Sequence, residues 1–267
     1  MPERIDRLLG FVMPEGDSPG RFIAHNIRFA DGRETLPERP LLAETPFTKS
    51  VLRSLDLVFP HHERSGRTII DLGCLEGGYT VEFARAGFTA TGLEIRKENF
   101  AKCEYVAKKV GLENLRFVLD DARHVQQYGV FDAVFCAGLL YHLDRPIAFL
   151  ETLASVTGRM LLLDTHVARR WRPRWWKKRL SRMTENEGVP GRWYIDYREG
   201  ISNEAVESAL DASYGNPRSF WVEKMYLIDA LRQVGFTTIY EQFDCLANIV
   251  SNVRLNRDDR PLLVALR

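Results

Sequence analysis

Five polar residues stand where apolar runs of this chain end: Asp71 after Ile69-Ile70, Glu94 after Gly92-Leu93, His142 after Leu139-Leu140-Tyr141, and Asp164 and His166 after Leu161-Leu162-Leu163. Asp71 opens a glycine-containing turn, Leu72-Gly73-Cys74-Leu75-Glu76-Gly77-Gly78, and Glu94 follows about twenty positions later. Glycines let a backbone approach a ligand closely, and a carboxylate at the end of a second strand can accept both hydroxyls of a ribose. A histidine has the near-neutral pKa wanted of a general base, so His142 or His166 is a candidate for that role, with His142 preferred, and a nearby carboxylate such as Asp164 can orient the ring. A cluster of His142, Asp164 and His166 can also hold a divalent cation such as Mg²⁺ or Mn²⁺, which lowers the pKa of a bound hydroxyl.

The turn narrows the kind of nucleotide ligand. A dinucleotide site packs three glycines as GxGxxG around a pyrophosphate, whereas this turn puts Asp71 ahead of Gly73 and fills the next positions with Cys74, Leu75 and Glu76. A carboxylate there repels phosphate and suits a positively charged ligand, such as the ammonium and sulfonium of S-adenosylmethionine. Cys74, Cys103, Cys136 and Cys245 are scattered with no CxxC pair, so reduced thiols that pack are expected rather than a zinc site or a disulfide framework.

These residues need a scaffold that brings strand ends to one edge. Strand-like segments at 68–72, 90–95, 115–119, 131–136 and 159–164 alternate with helical ones at 78–86, 97–110 and 145–156, the rhythm of a parallel sheet. A helix is expected at about 47–59, another from Phe220 to Val234 before Gly235, and two final strands at about 237–243 and 261–267. The fold class is therefore α/β: a doubly wound, Rossmann-like, mostly parallel seven-stranded sheet with a terminal antiparallel hairpin. One domain over 1–267 is expected, with an N-terminal arm and helix over 1–60, a core over 61–164 and 220–267, and a cap insertion over 165–219. Fifty-five residues between the fifth strand and the next core helix exceed an ordinary crossover. An insertion there sits above the strands' C-terminal edge, where ligands bind.

The cap has the most unusual composition. Arg169-Arg170-Trp171-Arg172-Pro173-Arg174-Trp175-Trp176-Lys177-Lys178-Arg179 interleaves cations with indoles, a pattern that fits nucleic acid, a sugar ring, a membrane surface or a helix packing its indoles inward. Net charge is only +1, so any basic surface is local. No apolar run approaches a membrane span or a signal peptide, and cytoplasmic residence is expected. Nothing in the sequence reports oligomeric state.

The order Asp71-x-Gly73, Glu94, Asp120-Asp121-Ala122 and Phe131-Asp132-Ala133-Val134-Phe135-Cys136-Ala137 resembles the class I methyltransferases over roughly residues 65–165. Leu75 departs from it, where many members have a further glycine. Gly138-Leu139-Leu140-Tyr141-His142 is similar to a segment of the tRNA wobble-uridine carboxymethyltransferases and of related sugar and small-molecule methyltransferases. The resemblance implies S-adenosylmethionine as cofactor, with its amino-acid portion near Asp71, Gly73, Cys74 and Ala137, its ribose on Glu94 beside Ile95, and its adenine against Asp121 and Ala122. It leaves the acceptor open: a sugar or other hydroxylated small molecule methylated on oxygen, a tRNA, or no acceptor at all in a fold that only binds a partner.

Overall fold

A computed structural model describes residues 19–170, 179–197, 200, 202, 206, 213–244 and 260–267. The three cap tryptophans Trp171, Trp175 and Trp176 lie outside the described residues, as does Cys245. Five parallel strands, β1 (Thr68–Leu72), β2 (Thr89–Glu94), β3 (Leu115–Leu119), β4 (Phe131–Ala137) and β5 (Thr157–Asp164), are extended by the hairpin of β9 (Thr238–Glu241) and β10 (Leu262–Leu266). The order is β3-β2-β1-β4-β5-β10-β9, with β10 antiparallel to both neighbours. The chain thus winds outward both ways from β1 and β4, which opens a crevice beyond their carboxyl ends.

Successive strand residues serve opposite faces, and the buried apolar sets follow this alternation. Ile70, Leu72, Leu161 and Leu163 pack on one face with α4 (Pro146–Val156) and α5 (Lys224–Gln233). Ile69, Phe135, Met160 and Leu162 pack on the other with α1 (Pro46–Val58) and α2 (Gly78–Arg85). Local signals set the ends of these elements. Pro46 opens α1 behind the Thr45 side chain, which accepts the Thr48 amide, and Gly111 closes α3 (Lys97–Val110) at φ +64°.

One element differs from the sequence reading. Residues Arg218–Val222 form strand β8 instead of the first turn of a helix, and α5 begins at Lys224. The Ser219-Phe220-Trp221-Val222 run pairs antiparallel with β7 (Val189–Ile195), which also pairs with β6 (Thr184–Asn186) in a second, three-stranded sheet. Cross-strand packing of aromatic and branched side chains outweighs the helical periodicity that continues from α5. Gly191 makes the pairing possible, since a Cβ there would lie 2.3 Å from the Trp221 carbonyl.

Candidate active site

The floor of the crevice is built by the turn after β1. Gly73, at φ +71°, and Cys74 both donate their amides to the Leu93 carbonyl at 2.9 Å, tying the turn to β2. Asp71 is buried beneath it, with one oxygen taking a hydrogen bond from the Thr80 hydroxyl at 2.7 Å. Burial, reinforced by the neighbouring Glu94 carboxylate, pushes the Asp71 carboxyl up to about 7. Glu94 accepts from the Leu75 amide at 2.9 Å through one oxygen and from the Arg96 amide at 2.8 Å through the other, and burial raises its pKa also. Asp71, held out of water with the Thr80 hydroxyl as its donor, and Glu94, held by two amides with the Arg96 charge nearby, favour a ligand that brings positive charge and hydroxyl donors.

Leu75 occupies the left-handed region at φ +56°. A side chain there costs about 1–2 kcal/mol relative to glycine. Its amide is thereby aimed at Glu94, so the strained residue and the acidic one form a single unit. Cys74 and Cys103 are buried free thiols with sulfurs 3.8 Å apart, and burial pushes both thiols up, which agrees with packing. Gly92 leaves the room for Cys74, because a Cβ on it would approach that sulfur to 2.8 Å.

A cavity of about 500 Å³ opens above this floor, within the range of ligand pockets. Asp71, Gly73, Cys74, Glu94, Ile95 and Ala137 all line it. Asp121 and Ala122 line a smaller adjoining hollow, of about 50 Å³, that shares Gly73, Ile95 and His142 with the larger one. Asp121 also caps the 3₁₀ turn Ala122–Tyr128, with its oxygens engaged by the Arg123 amide and guanidinium.

His142, Asp164 and His166 meet different partners. His142 sits in the 3₁₀ turn Leu140–His142 after β4 and lines both hollows. Its Nδ1 lies 2.9 Å from Asp196, whose side chain is 2% exposed, and the other Asp196 oxygen accepts the Ser219 hydroxyl at 2.7 Å. Asp164 lines the cavity but is paired with Arg260, whose Nε and Nη2 donate to one of its oxygens at 2.7 and 2.6 Å. His166 stacks on Trp221, with ring centres 4.6 Å apart and planes 8° from parallel, and is not among the residues lining the cavity. The three candidate metal donors are therefore turned to separate partners. Among the described residues no three His, Cys, Asp or Glu side chains are gathered for a cation, and the donors named for it are turned to Asp196, Arg260 and Trp221.

Asp196 and Ser219 were not anticipated. Both come from the small sheet's strand ends, which the sequence shows only as an aromatic strip, and a lone polar residue among Tyr194, Ile195 and Tyr197 was the available signal. The same sheet is fastened to the His142 loop by three further bonds: Asn216 Nδ2 to the His142 carbonyl at 2.8 Å, the Phe220 amide to the Leu143 carbonyl at 2.8 Å, and Trp221 Nε1 to the Tyr141 carbonyl at 3.0 Å.

Residues 69–159 match the family described as a methyltransferase domain. The tRNA U34 carboxymethyltransferase of Wolinella succinogenes is 30% identical over 113 residues, 41% of this chain and 40% of that protein. The ubiquinone biosynthesis O-methyltransferase of Xanthomonas axonopodis pv. citri is 29% identical over 139 residues, 51% of this chain and 54% of that protein. The match thus spans only about two fifths of the length of the Wolinella succinogenes carboxymethyltransferase and of those of Campylobacter concisus and Campylobacter curvus. In fold, the N-terminal domain of EvdMO1, crystallised in the presence of SAH and D-fucose, aligns over 90% of this chain and 89% of that one with a TM-score of 0.63 and 24% identity. No described helix is long and apolar enough to cross a membrane. The family match lies on the strands and turns that build the crevice, and the fold around it is the Rossmann-like one shared with the EvdMO1 domain.

Proposed function

We propose that this methyltransferase binds S-adenosylmethionine in the main cavity and methylates a hydroxyl of a sugar or similar polyhydroxylated small molecule, with His142 as general base. The observation that carries the reading is the hydrogen-bonded series Ser219, Asp196, His142 at the cavity wall. Asp196 accepts a hydrogen bond from His142 Nδ1–H, which leaves Nε2 with its lone pair, the form a base requires.

The cofactor fits the residues present: an uncompensated Asp71 for its cationic amino-acid portion, Glu94 for its ribose, and the hollow beside Asp121 and Ala122 for its adenine. When bound it supplies a methyl group on a sulfonium, open to displacement by an oxygen. His142 takes the acceptor's hydroxyl proton as that oxygen forms its new bond to carbon, and Asp196 stabilises the resulting imidazolium. Phe47, Tyr79, Phe135 and Tyr141 add aromatic surface to the cavity wall, which favours a site with little water once ligands fill it. D-fucose, the sugar in the EvdMO1 crystals, is of the same chemical class.

A screen of labelled methyl transfer from S-adenosylmethionine into oligosaccharides, phenols and bulk tRNA, with and without chelator, tests the reading. Label in a sugar hydroxyl is the expected result, and it persists with chelator present. Label in RNA alone overturns the acceptor class, and label in none removes the catalytic reading.

A further inference from the structure

The N-terminal arm enters the cavity wall. Three successive amides, of Ile23, Ala24 and His25, donate to the buried Glu76 carboxylate at 2.7, 3.0 and 2.9 Å, which pins the arm beside the turn after β1. This brings His25 over the start of α2, where its Nδ1 accepts the Gly78 amide at 3.1 Å. Gly78 leaves room for this ring and for Leu42: a Cβ on it would come within 2.8 Å of the imidazole Cγ and Nδ1 and 2.5 Å of a Leu42 methyl. The ring is 8% exposed, lies edge-on to Tyr79 with centres 5.2 Å apart, and lines the cavity beside Asp71 and Gly73.

An Nδ1 that accepts a backbone N–H carries no proton, so the neutral ring holds its proton on Nε2. Among the described residues Nε2 has no hydrogen-bond partner. Burial drives the imidazole pKa down to about 4, although the Glu76 charge acts the other way. His25 is therefore a neutral donor of fixed tautomer at the Asp71 end, where two carboxylates leave an anionic ligand group short of partners. The cations that line the same cavity are engaged: Arg260 donates to Asp164, and Arg96 to the carbonyls of Val206 and Ser213.

We propose that His25, held by Glu76 and Gly78, donates its Nε2 proton to the α-carboxylate of the cofactor's methionine portion, which makes the arm part of the cofactor site. The assignment rests on the cofactor reading above. It makes the enzyme discriminate S-adenosylmethionine from its decarboxylated form, which keeps the sulfonium and amine and lacks only the carboxylate.

Titration calorimetry with both compounds tests it. Wild type binds S-adenosylmethionine more tightly, and His25→Gln and His25→Phe each weaken that binding roughly ten- to one-hundred-fold while leaving affinity for the decarboxylated compound unchanged. Nitrogen-15 NMR of the wild-type protein gives a readout independent of any variant: the His25 Nε2–H resonance shifts with S-adenosylmethionine and stays in place with the decarboxylated form. Equal weakening of both compounds, unchanged binding, or loss of discrimination in Arg260→Lys alone overturns the assignment while the cofactor reading stands. If neither compound binds wild type, the cofactor reading itself fails and His25 falls with it.

Discussion

The two ends of the cavity are assembled on different scales of sequence. Around the two carboxylates of the cofactor end, Asp71 and Glu94, polar contacts close over short stretches: Glu94 to Arg96 across two positions, Thr80 to Asp71 across nine, Leu75 to Glu94 across 19. At the acceptor end, His142 meets Asp196 across 54 positions, Asn216 across 74, and Asp164 meets Arg260 across 96. The carboxylates of the first end are set by a strand, a turn and a strand that position one another, with the arm added from 51 to 53 positions away. The second depends on a separate sheet being folded and docked before its base has an orienting partner. Cofactor recognition should therefore survive damage to the small sheet, while chemistry should not.

The largest effect expected is on the rate. His142→Ala should lower turnover roughly hundred- to ten-thousand-fold while calorimetry finds cofactor affinity near wild type. Asp196→Asn should cost less than this and should also change the pH profile of turnover, since an amide can hold the wrong tautomer in place. A His142→Ala enzyme with normal turnover would remove the base and with it the functional half of the contrast.

Glu94→Ala should give the opposite pattern: cofactor affinity reduced roughly ten- to one-hundred-fold, corresponding to about 1.5–3 kcal/mol for hydrogen bonds to a charged group, with turnover at saturating cofactor little changed. Asp121→Ala should be milder, because that carboxylate is already engaged by Arg123. Equal losses in both variants would mean that ribose and adenine contacts are not divided as the two hollows suggest.

Stability of the cofactor-free protein should register Asp71 in a definite direction. Its carboxyl sits at about 7 in the fold against 3.8 in the open chain, so between these values the native state holds a proton that the unfolded state has lost. Stability therefore declines as pH rises through this window, by up to about 4 kcal/mol for a shift of this size. Asp71→Asn should be the more stable protein in denaturant melts at pH 8, and should bind cofactor poorly. His25 acts in the opposite direction: with a folded value near 4 against 6.5, its contribution is complete above pH 6.5 and is lost as pH falls toward 4.

The smallest effect concerns Leu75. Leu75→Gly relieves the φ of +56° and should raise stability by about 0.5–1 kcal/mol after the greater chain freedom of glycine is counted, read as a small rise in Tm. A fall would mean that the leucine side chain contributes more by packing over the cavity floor than its backbone strain costs.

The same contrast in scale decides what the sequence discloses. The parallel strands, α3, the carboxylates at the ends of β1 and β2 and the Gly73 turn are all legible, because hydrophobic periodicity and turn chemistry act within a few residues. The Asp196 pairing was not, because no local pattern reports which carboxylate a docked sheet delivers to His142. Asp164 was the natural candidate on adjacent strands, but Arg260, brought in just ahead of β10, occupies it. Even a glycine with a correct location can mislead about purpose. Gly78 belongs to the turn expected to admit a ligand, yet what its missing Cβ admits is a Leu42 methyl and the His25 imidazole.

The capture of the arm by Glu76 also fixes an order of events during synthesis. Residues 23–25 leave the ribosome 51 to 53 positions ahead of the carboxylate that receives their amides. At about 5–20 residues per second, that is a wait of several seconds in which the three N–H groups have only water as partner. The arm must therefore remain uncommitted while the first strand and its turn are made, and it docks onto structure that did not exist when it emerged. A rare-codon pause or a bound chaperone acting within this interval changes how long the arm stays exposed, without altering a single contact in the finished enzyme.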